Sequence, residues 1–86
     1  MGKYALEFLV DGLWIPIFFK TREKVINEYI ECLTRKDKTN WYVYKSLAIS
    51  AEEVDSIRIL EKSKHDYYDI NMTDEEFSKV ENALTK

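Results

Sequence analysis

A chain of 86 residues, 45% apolar and 14% aromatic, is sized for one domain (residues 1–86) with a sizeable core, which excludes a disordered or multidomain reading. Its single cysteine excludes an internal disulfide, and its longest apolar run, Leu13 to Phe19, is too short to cross a bilayer. The net charge of −3 divides into +1 over residues 1–64 (11 basic, 10 acidic) and −4 over residues 65–86 (two basic, six acidic), which argues against a surface that coats nucleic acid. With no leader-like segment at the start of the sequence and one unpaired thiol, the expected setting is the reducing cytoplasm, away from membranes.

The first element is the clearest. Tyr4 to Val10 and Leu13 to Phe19 flank Asp11-Gly12, and an Asp-Gly pair between apolar runs predicts a hairpin with a type I′ turn. Such a turn sets Val10 opposite Leu13, Phe8 opposite Ile15, Leu6 opposite Ile17 and Tyr4 opposite Phe19, so one face is wholly apolar. The other face is mixed, with Leu9 beside Trp14, Glu7 beside Pro16 and Ala5 beside Phe18. Pro16 falls in a non-hydrogen-bonded pair, so its missing amide points away from the first strand. The second strand is therefore expected at a sheet edge, with any further strand joining beside the first.

Thr21 is placed to cap a helix running to about Lys36, whose apolar stripe is Val25, Ile26, Tyr29, Ile30 and Leu33. That stripe is the natural cover for the apolar hairpin face. Trp41 to Tyr44 is dense in strand formers, and the strand is expected to reach Ser46 or beyond. Ser50 with Glu53 reads as a capping box on a short helical turn. Ser56 to Lys62 alternates as a strand but also repeats at three, and the strand is preferred. Thr73 and Glu76 form a second capping box, opening a closing helix with Phe77, Val80 and Leu84 along one side. This helix is expected to cover Leu9, Trp14 and Phe18 or to lie against the sheet edge. The expected fold is α+β, in the order ββαββα, with a small antiparallel-leaning sheet, a central helix and a C-terminal helix.

Few constellations carry chemistry. His65 with Asp66 and Asp69 lacks the ligand count of a metal site and reads as a polar loop. Cys32 lies on the border of the first helix's stripe, the usual place of an inert thiol. The acidic groups Glu52, Glu53, Asp55 and Asp74, Glu75, Glu76 sit at helix starts, where they favour the dipole. No glycine-rich phosphate loop is present, so no catalytic residue, cofactor or metal is expected, and the chain is read as a non-enzyme.

Two surfaces remain. Arg35, Lys36 and Lys38 precede Trp41, Tyr42, Tyr44 and Lys45, and cations beside rings can hold the phosphates and stack the bases of a single strand or a nucleotide. The stronger signal is surplus rings. Leu9, Trp14, Phe18, Tyr42, Tyr44, Tyr67 and Tyr68 compete for cover in a domain with two helices, and such rings favour protein interfaces. The expectation is a small protein-binding module, self-associating as a homodimer or occupying a partner. Abundant lysine, isoleucine and tyrosine suggest an AT-rich genome, so the concrete form expected is an inhibitor or adaptor from a phage or mobile element acting on a host protein, as in counter-defence.

Overall fold

The Asp11-Gly12 turn forms as its residues dictate, with φ of 51° and 77°, and joins β1 (Tyr4–Val10) to β2 (Leu13–Phe19). The computed structural model describes residues 2–34, 41–44 and 47–85. The register is the expected one throughout, from Val10 opposite Leu13 to Tyr4 opposite Phe19. Pro16 lies on an outer strand, because the sheet runs β2-β1-β5-β6.

The strand beside β1 is β5 (Ser56–Ser63), antiparallel, with Leu6 opposite Ile59 and Glu7 opposite Arg58. The ambiguous 56–62 stretch is thus a strand. Backbone bonds from Asp55 N–H to Leu9 O and from Lys62 N–H to Lys3 O, both 2.8 Å, hold the two ends of this pairing. A turn at Lys64-His65 then leads to β6 (Asp66–Asp69), where Tyr67 opposes Lys62. The expected polar loop here is a fourth strand. Its acidic ends hid the signal, and Tyr67-Tyr68 alone supplied it.

The stretch after the first helix also differs from expectation. Instead of one strand entering the main sheet, β3 (Trp41–Tyr44) and β4 (Leu47–Ser50) pair with each other as a separate ribbon. The fold is α+β, with six strands among the described residues rather than the four expected. Ala51–Glu53 forms the short helical turn expected there, but the Ser50 side chain makes no capping bond.

Helix α1 (Arg22–Thr34) begins where Thr21 Oγ1 accepts the Lys24 N–H at 3.2 Å. The expected extension to Lys36 lies outside the described residues. Val25 and Ile26 lie buried with Leu6, Phe8 and Ile59, so α1 covers the apolar face of the sheet. The β3–β4 ribbon covers the rest of that face, with the Tyr42 ring stacked 5.0 Å from Phe8. Helix α2 (Asp74–Leu84) starts on the predicted capping box, Thr73 and Glu76 exchanging both bonds. It does not lie over the second hairpin face, the first of its two expected placements. It packs against α1, because Arg22 fixes its first turn.

Candidate interaction face

Strand alternation divides the main sheet into two faces. The covered one carries Tyr4, Leu6, Phe8, Ile15, Ile17, Ile57 and Ile59. The other carries Ala5, Glu7, Leu9, Trp14, Pro16, Phe18, Arg58, Leu60, Lys62 and Tyr67. Among the described residues, no helix or ribbon packs on this second face.

It is nonetheless ordered, because its side chains cover each other. Arg58 donates from Nε to Glu7 Oε1 at 2.7 Å, which fixes the guanidinium as its charge is neutralised. The same guanidinium lies 3.9 Å from the Trp14 ring centroid. A planar cation stacked on an indole gains from the ring quadrupole while its partner carboxylate stays satisfied. Further along the face, Phe18 and Tyr67 meet at 5.9 Å in a tilted ring pair. Phe18 opposes Ala5, whose other neighbour is Leu60, and the small Ala5 leaves room for the rings to meet. Ala5 and Leu60 are buried on this face. Tyr67 is pinned by its hydroxyl, which donates to Gly2 O at 2.9 Å. Phe18 remains 39% exposed, and Pro16 is exposed between the two clusters.

Four of the seven residues expected at a partner surface therefore come together: Leu9, Trp14, Phe18 and Tyr67. Tyr68 points the opposite way along β6, opposite Glu61, and is exposed there. Tyr42 and Tyr44 correct the expectation. Tyr42 is 2% exposed, and its hydroxyl donates to Cys32 O at 3.5 Å. The Tyr44 hydroxyl donates to Glu28 Oε2 at 3.0 Å, with Cys32 Sγ 3.8 Å away. Burial first, and then its neighbours Cys32 and Glu28, hold the Tyr44 phenol well above its ordinary value, so it stays neutral. Both rings serve the core.

The same placement divides the rings of the base-stacking constellation between two sides of β3. Trp41 and Tyr42 are adjacent in β3, so they face opposite sides, and only Trp41 is exposed with Val43. Arg35, Lys36, Lys38 and Lys45 lie outside the described residues. His65, Asp66 and Asp69 are exposed about the β5–β6 turn, and Cys32 is buried.

Comparison of the chain with protein-family models, curated proteins and solved structures finds no match. Two residues central to this geometry were not singled out from the sequence. Arg58 matters because β5 sets it across from Glu7, 51 positions away, and no local pattern announces such a pairing. Arg22 looks like a polar helix residue, yet it donates from Nε and Nη2 to Glu76 at 2.7 and 2.8 Å. It also donates to Glu61 Oε1 at 3.1 Å and Asn71 O at 2.7 Å. The bonds from Arg22 hold the Glu76 carboxylate at about 2, below its ordinary 4.5.

Proposed function

We propose that this chain is a non-enzymatic protein-binding module that docks a partner on the open sheet face. One observation carries the reading: helix and ribbon cover one side of the sheet, while the other presents Trp14 under Arg58 and Phe18 against Tyr67 with no element over them among the described residues. Tryptophan, tyrosine and arginine dominate the energetics of protein interfaces, and rings already held in place lose little entropy on docking. The sheet edges favour a partner that lies on the face rather than one that adds a strand. Pro16 removes an outward donor from β2, and β6 is four residues long with an aspartate at each end. A module of this size acts by occupying a surface, as an inhibitor or adaptor does.

The test is affinity capture from the native host followed by mass spectrometry, with the wild type beside Trp14→Lys and Phe18→Glu. The reading expects a protein retained by the wild type and lost by both variants, each still folded by circular dichroism. Equal capture by all three, or a micromolar, salt-sensitive affinity for single-stranded oligonucleotides, contradicts it.

A further inference from the structure

We infer that the outer side of α2 is a second, separate docking strip, and that its partner is an apolar groove rimmed by lysine or arginine. Helix α2 uses little of its surface inside the molecule. Val80 is its buried residue, and Glu76 is held by Arg22 at 2.7 Å. Phe77 and Leu84 are 57% and 55% exposed. Seven residues apart, they fall on one side of the helix about 10 Å from each other, the i, i+7 spacing of anchors that enter a groove. At 100° per residue, Asp74 and Glu81 lie just beyond them on the solvent side, and Lys79 lies on the far side.

The acidic flank selects the partner. Residues 65–86 hold six acidic and two basic groups, a charge of −4, while the preceding 64 residues sum to +1. One of those six acids, Glu76, is neutralised by Arg22 within the fold, and Asp74 and Glu81 edge the apolar strip. A groove with an acidic rim is repelled, and a neutral one leaves these carboxylates desolvated without a counter-charge. A basic rim satisfies both anchors and acids, and it also steers the encounter.

The experiment uses the full chain with a photo-reactive benzoylphenylalanine at position 77, irradiated in host extract, with the captured peptide sequenced. The inference expects a cross-link to an apolar groove bordered by Lys or Arg in another protein. With that protein purified, Leu84→Glu and Glu81→Lys should each weaken binding at least tenfold, and rising salt should weaken the wild type. Both substitutions are at exposed positions, and circular dichroism and thermal melting confirm folding. Trp14→Lys, measured in parallel, reports on the open sheet face, so either surface can fail while the other stands. Cross-links confined to the chain or a second copy, a captured surface without cations, or full binding by Glu81→Lys overturns the inference.

Discussion

The two faces of the β2-β1-β5-β6 sheet are built from the same strands but stabilised in different ways. On one face Leu6 and Phe8 are shut away beneath α1 and the β3–β4 ribbon, and apolar area removed from water does the work. On the other, order comes from side chains covering side chains: Arg58 on Trp14, Phe18 against Tyr67, and Glu7 holding Arg58. The first arrangement is finished within the chain. The second is held together by contacts among its own side chains and is still partly exposed.

The comparison breaks most readily at Phe8. Phe8→Ala should destabilise by about 3–5 kcal/mol, since a fully buried ring leaves a cavity under α1 and Tyr42. Phe18→Ala, across the sheet, should cost about 1–2 kcal/mol, because that ring is already part-hydrated. Urea unfolding of the pair checks both, and equal losses would mean that the second face is as buried as the first.

How much of this was legible follows from range. The hairpin, its register, the edge position of β2 and the start of α2 rest on residues at most a hairpin apart, and each has its own chemical marker: Asp11-Gly12, Pro16, Thr73 with Glu76. The open face was half legible. Leu9, Trp14 and Phe18 follow from the turn, but Arg58 and Tyr67 join them only through pairing across about fifty residues. The Tyr42-Tyr44 face was undecidable in the sequence because both sides of β3 are apolar, and Phe8 settles which side turns inward.

The covered side is also sharpened at its rim. Arg22→Ala should cost about 1–3 kcal/mol, because it removes a two-pronged bond to Glu76 and frees α2 from α1. The linkage has a sign. Glu76 is held at about 2 in the folded chain, below its ordinary 4.5, so its contribution is complete above pH 4.5 and lost as pH falls toward 2. Acid titration of stability should therefore show a shallower loss in Arg22→Ala than in the wild type over that interval.

Gly12→Val tests the turn that assigns residues to the two faces. A β-branched side chain resists the φ of 77°, so stability should drop by more than about 1 kcal/mol in thermal melts. The smallest effect is expected at Lys64, whose φ of 59° is unfavourable for a residue with a Cβ. Lys64→Gly should raise stability by about 0.5 kcal/mol, the relief of that conformation slightly exceeding the entropy glycine adds to the unfolded chain. It should also leave Tyr67 against Phe18, which ring contacts in NMR spectra will report.

Hydroxyl-radical footprinting tests the central claim most directly, performed on the isolated chain and on its complex with the captured partner. In the isolated chain Phe18 and Pro16 should be labelled while Phe8 and Tyr42 are not, and in the complex labelling at Phe18, Pro16 and Trp14 should fall with the rest unchanged. Equal protection of Phe8 and Phe18 before any partner is added, or unaltered labelling of Phe18 and Trp14 in the complex, would contradict the account.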